Sequence, residues 1–239
     1  MPVALALSPH LDDAAFSAGA TLAALANKGW DVTVATLFTA SVPNPTGFAL
    51  ACQLDKGIPP GTDYMAIRRA EDAEACAILG ARPAFLPLRE APHRGYCGAA
   101  ALFGPVRPDD AAHVQAAPLL RDLIARLTPT LILAPQAIGG HVDHVQLLRA
   151  LSLVAPTAPV WFWEDQPYAS RPGTHPARPF EDGMARLDRR ETTGDAATKL
   201  AACLCYASQL RFQFGGADGV ASLGGAEVFR TRPALAQAA

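Results

Sequence analysis

Short continuous apolar runs alternate along this chain with longer stretches whose apolar positions recur every three or four residues. The run VALALS (3–8) predicts a strand. AAFSAGATLAALANKG (14–29) predicts a helix, with Phe16, Leu22 and Leu25 among its apolar positions and Gly29 as its stop. DVTVATLF (31–38) is β-branched and reads as a second strand. Residues 39–62 hold Pro43, Pro45, Pro59, Pro60 and three glycines, and predict a long loop. A helix is expected over 63–80, from Asp63 to Gly80, followed by a strand PAFLPL (83–88). A second loop covers 89–108. Asp109 or Asp110 is placed to cap a helix running to Leu127, with Pro118 as a kink or split. TLILAP (130–135) predicts a strand, QAIGGH a glycine turn, DHVQLLRALSLV (143–154) a helix and PVWFWED (159–165) a fifth strand. Residues 166–190 read as irregular. A helix over 192–210, a glycine-rich turn and a short terminal helix near 224–231 complete the pattern.

Continuously apolar strands alternating with helices indicate a parallel sheet covered on both faces. With right-handed crossovers, this gives an α/β, Rossmann-like doubly wound fold, mostly parallel, with loop insertions. There is no internal repeat and no stretch that reads as a linker, so residues 1–239 are expected to form one domain.

Composition narrows the function classes. Half of the residues are hydrophobic, enough for a sizeable core, and the net charge of -2 gives no basic face for nucleic acid or a membrane surface. No apolar run approaches a membrane span, and Val3 to Leu7 is too short for a signal peptide, so a cytoplasmic protein without a removable leader is expected. Cys52, Cys76, Cys97, Cys203 and Cys205 form no C-x-x-C pair and read as small buried hydrophobes. No G-x-G-x-x-G follows the first strand and no phosphate-loop lysine motif occurs, which argues against a nucleotide-binding module.

Two clusters carry the candidate chemistry. HLDD (10–13) follows the first strand and HVDH (141–144) follows the fourth, and each opens a helix. In an open parallel sheet, ligands bind beyond the carboxyl ends of the strands, so the two clusters can converge. Single aspartates there cap helices well enough, but capping leaves the three histidines unexplained. Histidine nitrogen and carboxylate oxygen suit zinc, and a catalytic site needs three protein ligands. The clusters offer more than three. The set His10, Asp13 and His144 leaves Asp12, His141 and Asp143 for proton transfer, oxyanion stabilisation or support of a histidine.

In these residues the chain resembles the LmbE-like (PIG-L) deacetylases, whose signature is His-Pro-Asp-Asp after the first strand and a later His-x-Asp-His. RRAEDAEACAILG (68–80), WEDQPYA (163–169) and KLAACLCYASQL (199–210) extend the resemblance along most of the chain. It implies a metal-dependent enzyme that removes acetyl groups from N-acetylglucosamine-type amino sugars. It implies His10, Asp13 and His144 as metal ligands, Asp12 as general base, His141 facing the oxyanion or leaving amine, and Asp143 orienting His141. Arg68 resembles a substrate-contacting arginine of the family. Leu11 stands where the family has proline, Ala14 where many members have glutamate, and a tyrosine found before the second motif in some members is missing from AIGGH.

The expected cofactor is Zn2+, with Fe2+ or another divalent ion as substitutes for the same donor set. The expected partner is a small N-acetylated sugar, with neither nucleic acid nor membrane, and a homo-oligomer is compatible with the sequence. Hydrolysis of another amide or an ester, or a non-catalytic metal-binding relative, are the alternatives. Asp165, just past the fifth strand, is a candidate substrate contact. Arg89 and Arg94 read as surface charge, His93, His113 and His175 as surface or structural, and Trp161 and Trp163 as core. Tyr206, Ser208 and Gln209 read as helix packing.

Overall fold

The computed structural model describes residues 1–175, 177 and 180–232. Its sheet has seven strands: β1 (Val3–Ser8), β2 (Asp31–Thr36), β3 (Arg82–Phe85), β4 (Leu131–Pro135), β5 (Val160–Trp163), β6 (Asp188–Thr193) and β7 (Ala226–Thr231). They lie in the order β3-β2-β1-β4-β5-β7-β6. The first five run parallel, as the alternation of strand and helix requires. The helices are α1 (Asp13–Asn27), α2 (Gly47–Asp55), α3 (Tyr64–Ile78), α4 (Ala99–Leu102), α5 (Ala112–Leu127), α6 (Val142–Val154), α7 (Glu181–Ala185), α8 (Ala196–Leu204), α9 (Ala207–Phe214) and α10 (Ala217–Ala221).

The pleat sorts each central strand between two cores. Ala4 and Ala6 of β1, Val32 and Val34 of β2, and Leu131 and Leu133 of β4 face α1, α3 and α8. Leu5, Leu7, Ile132 and Ala134 face the other way, against Leu120, Leu123, Leu147 and Leu151 of α5 and α6. Trp163 is wholly buried and Trp161 packs half-buried beside it, as the sequence suggested. Tyr206 Oη donates to Asp72, Ser208 to Glu71 and Gln209 to Tyr64, so these three pin α9 to α3.

Several expectations are corrected. The long loop at 39–62 contains α2, which begins after the last of its early prolines and buries Ala49 and Gln53, four residues apart on one face. The loop at 89–108 contains the short α4 and a 3₁₀ turn over Ala91–Arg94. Pro118 lies in the first half of α5 without splitting it. Residues 166–190 are not wholly irregular, since α7 lies inside them and β6 begins at Asp188. The helix expected over 192–210 is two helices, with Cys205 and Tyr206 between them. The terminal helix expected at 224–231 is the strand β7, antiparallel to both β5 and β6. Along AEVFRT it is burial that alternates, with Glu227, Phe229 and Thr231 turned inward, a strand period set by packing rather than by the residue types. Cys76 and Cys203 are buried, but Cys97 is exposed on the loop after β3, unlike a small core hydrophobe. No helix among the described residues is long and apolar enough to cross a membrane.

Candidate metal centre

The loop from β1 into α1 is folded on itself by Ser8. Its Oγ donates to the His10 carbonyl at 2.7 Å and accepts from Ala14 N at 3.1 Å. His10 N donates to Asp13 Oδ2 at 2.9 Å, and Asp12 N to the His10 carbonyl at 3.0 Å. These bonds fix the backbone around Leu11, whose side chain is fully buried. The loop from β4 into α6 turns through Gly139 and Gly140, both at positive φ. A Cβ on Gly139 would also stand 3.3 Å from the Tyr168 side chain, a tight contact on a backbone already in the left-handed region. His141 caps α6: its Nδ1 accepts from Asp143 N at 3.2 Å.

The two loops bring His10, His141 and His144 together. Each offers one nitrogen, and these lie within 4.8 Å of one another. Asp13 Oδ2 stands between two of them, 3.2 Å from His10 Nδ1 and 3.3 Å from His144 Nε2. The outer nitrogens of the same two rings are held by carboxylates. His10 Nε2 meets Asp143 Oδ2 at 2.9 Å, and His144 Nδ1 meets Asp165 Oδ1 at 2.7 Å. Carboxylate, imidazole, then a free nitrogen facing inward is the arrangement that supports metal-binding histidines. His144 Nε2 is buried and makes no aligned hydrogen bond, and neither does Asp12 Oδ1. A buried polar atom without a partner is costly unless a ligand completes it. The donor set and these orphan atoms fit a divalent cation such as zinc.

Charge in the cluster is strongly redistributed. Burial pushes the Asp12 carboxyl up to about 7, with Asp13 adding to the rise and Arg68 opposing it. Burial also raises Asp13, but His144 and His10 outweigh it and hold that carboxyl well below its ordinary value. Burial lowers His144, yet Asp13 and Asp165 reverse this and bring it to about 9. His141, with no carboxylate on its ring, is lowered to about 3 by burial and by its histidine neighbours. Adjacent carboxylates are thus pushed in opposite directions, the condition for one to hold charge and the other to move a proton.

Three expectations change in detail. Asp143 addresses His141 only through its backbone N–H. Its carboxylate goes to His10, to Ala91 N at 3.1 Å and to Arg94 at 2.7 Å. Asp165 is fully buried, and its second oxygen accepts from Ile138 N at 3.0 Å, so it holds His144 rather than meeting a sugar. Arg68 is buried as well. It pairs with Glu90, donates to the Leu11 carbonyl and lies 3.3 Å from Asp12 Oδ2, so its terminal nitrogens are engaged within the protein, while its Nε makes no hydrogen bond. Sequence reasoning missed Glu90 and Arg94. Their position in the loop beyond a strand's carboxyl end was the available signal. It also missed the aromatic cover: the Phe103 ring lies 5.3 Å from His141 and 5.5 Å from Tyr168. His93, His113 and His175 stand outside the cluster.

Residues 5–155 match the PIG-L family, described as GlcNAc-PI de-N-acetylase. The chain belongs to this family. A PIG-L relative, the 2'-N-acetylparomamine deacetylase of Streptomyces fradiae, is 34% identical over 174 residues, 70% of this chain and 58% of that protein. The chain therefore spans less than two thirds of that curated relative's length. The zinc-inhibited form of teicoplanin deacetylase Orf2 superposes with a TM-score of 0.82 at 25% identity, covering 96% of this chain and 97% of that one. The A40926 pseudoaglycone deacetylase Dbv21 gives 0.79 at 29% identity, covering 97% and 98%. The seven-stranded, mostly parallel sheet is thus the PIG-L architecture.

Proposed function

We propose that this chain is a metal-dependent N-deacetylase acting as one domain, on a small N-acetylated amino sugar or sugar conjugate, in the cytoplasm. The observation that carries the reading is the meeting of His10 Nδ1, Asp13 Oδ2 and His144 Nε2 beside the unpartnered oxygen of Asp12. His10, Asp13 and His144 hold the ion, zinc by preference and ferrous iron as a substitute. His141 stays out of the ligand set, because no carboxylate supports its ring and its Nδ1 is already occupied by Asp143 N. The names of the relatives support the bond type: all are deacetylases, one of 2'-N-acetylparomamine, the others of teicoplanin and of the A40926 pseudoaglycone.

When bound, the ion supplies Lewis acidity toward water and the acyl oxygen. The rest of the chemistry belongs to the side chains. Asp12 Oδ1 accepts the proton of the attacking water, and Arg68 fixes the carboxylate from its other oxygen. The free Nε2 of His141 faces the developing oxyanion and the leaving amine. Phe103 and Tyr168 keep bulk water off that ring. The proton taken by Asp12 passes to the leaving nitrogen as its bond to the acyl carbon breaks, so the products are acetate and a free amine. The test is acetate release by zinc-loaded enzyme from N-acetylated sugars, sugar nucleotides and aminoglycoside-type intermediates, beside simple esters. Turnover of at least one N-acetyl sugar is expected. Turnover of esters with no acetamide cleaved would replace the proposed bond, and no turnover of any of them would leave a metal-binding relative without this activity.

A further inference from the structure

One strongly built group has no part in the chemistry above. Arg94 ends the 3₁₀ turn Ala91–Arg94, and Gly95 in the left-handed conformation sends the chain away from it. Its side chain is only 12% exposed. Nε and Nη2 grip Asp110 as a fork, at 3.1 and 2.9 Å, and Nη1 donates to the Arg89 carbonyl at 2.6 Å. Asp110 is itself held by the Tyr96 hydroxyl at 2.9 Å and by Ala112 N at 3.1 Å. The guanidinium lies 4.8 Å from the centre of the Phe38 ring. Held on all these sides, it brings Nη2 to 2.7 Å from Asp143 Oδ1, a close ion pair rather than an aligned hydrogen bond. The other oxygen of Asp143 holds His10 Nε2.

We infer that Arg94 is a positioning residue for the metal centre, acting through Asp143 on His10 and anchored by Asp110. The inference rests on the proposed ligand set. Asp143 is wholly buried, and a buried carboxylate is costly unless it is paired with positive charge. Arg94 supplies that charge from outside the ligand shell, so Asp143 can present an oxygen to His10 and leave the ring's Nδ1 turned toward Asp13. Among the described residues His144 has no such counterpart: behind its carboxylate, Asp165, stands the backbone N–H of Ile138. Lysine cannot replace Arg94, since one ammonium cannot fork onto Asp110 and reach Asp143 together.

The test compares zinc affinity, by competition with a chromophoric chelator, in wild type, Arg94→Ala, Arg94→Lys and Asp110→Asn, together with kcat/KM for acetate release. Arg94→Ala should bind zinc about 10–100-fold more weakly, the usual cost of losing an outer partner of a metal-bound histidine. Its activity should recover in part at saturating zinc. Millimolar guanidinium should tighten zinc binding in Arg94→Ala and leave wild type unchanged, a rescue that a merely structural role would not give. Arg94→Lys should stay weaker than wild type. If Arg94→Ala fails to fold, Asp110→Asn carries the test through the loosened anchor, with weaker zinc binding expected. Folded variants that match wild-type zinc affinity overturn the inference and leave the deacetylase reading standing. A wild-type chain that binds no zinc removes the ligand set, and this inference with it.

Discussion

Two clusters of buried charge lie on this sheet, and they are finished differently. Glu227 of β7 sits beneath the middle of α1, 3% exposed. One of its oxygens accepts from Ala20 N at 2.9 Å and meets Lys199 Nζ at 2.8 Å; the other accepts from Thr21 N at 2.8 Å. Gly19 leaves room for the lysine stem, whose Cγ would stand 3.3 Å from a Cβ at that position. Every charged atom there has a protein partner. The cluster at the carboxyl ends of β1 and β4 is buried too, apart from a partly exposed His10, yet His144 Nε2 and Asp12 Oδ1 are left without aligned partners. Buried charge that joins strand to helix is complete in the protein alone. Buried charge that awaits a ligand is incomplete, and its incompleteness marks where the ligand goes.

The largest expected effect separates the two clusters by function. Asp12→Ala should lower kcat for acetate release by about 10²–10⁴-fold, the range for loss of a general base. It should leave zinc stoichiometry unchanged and the unfolding midpoint equal or higher, because it removes a carboxylate raised by burial and by Asp13. Full turnover in this variant would put the base elsewhere. Glu227→Ala should do the reverse. It strands the Lys199 ammonium in the interior, at a cost of about 3–5 kcal/mol in denaturant unfolding. The protein that stays folded should bind zinc as wild type does, and a loss of zinc at unchanged stability would contradict the division of labour.

The smallest effect concerns a buried carboxyl in neither cluster. Asp72 of α3 accepts from Tyr206 Oη at 2.8 Å, and burial raises it to about 7. A carboxyl whose folded value lies above its unfolded value of 3.8 binds more protons when folded. Its stabilising contribution is full below about pH 4 and is lost as pH rises toward 7. Asp72→Asn should remove that loss. Its unfolding temperature relative to wild type should therefore climb between pH 4 and pH 7, and a constant difference would show that Asp72 ionises freely in the fold.

The same contrast explains what could be read from the sequence. The parallel part of the sheet was legible because its strands are continuously apolar and each is followed by a helix-period pattern. His10, Asp12, Asp13, His141, Asp143 and His144 were legible as a group, because charge clustered directly after two such strands has no ordinary structural reason. The antiparallel end was not. AEVFRT is short and follows a glycine-rich turn, and the pairing that makes it a strand is supplied by β5 and β6, far away in the chain. The supporting residues were hidden in the same way. Arg94 and Glu90 look like any loop charge until Asp143 and Arg68 are seen against them. Asp165 looked like a pocket residue because nothing local announces its partner, His144, on another helix.

The loops at the carboxyl ends of β1 and β4 are claimed to close on one divalent ion through His10, Asp13 and His144. The most direct measurement is the metal content of purified wild type and His144→Ala after zinc loading and desalting, with circular dichroism to establish that both are folded. One zinc per wild-type chain and almost none in folded His144→Ala is the expected result. Equal zinc in the two proteins would contradict the assignment.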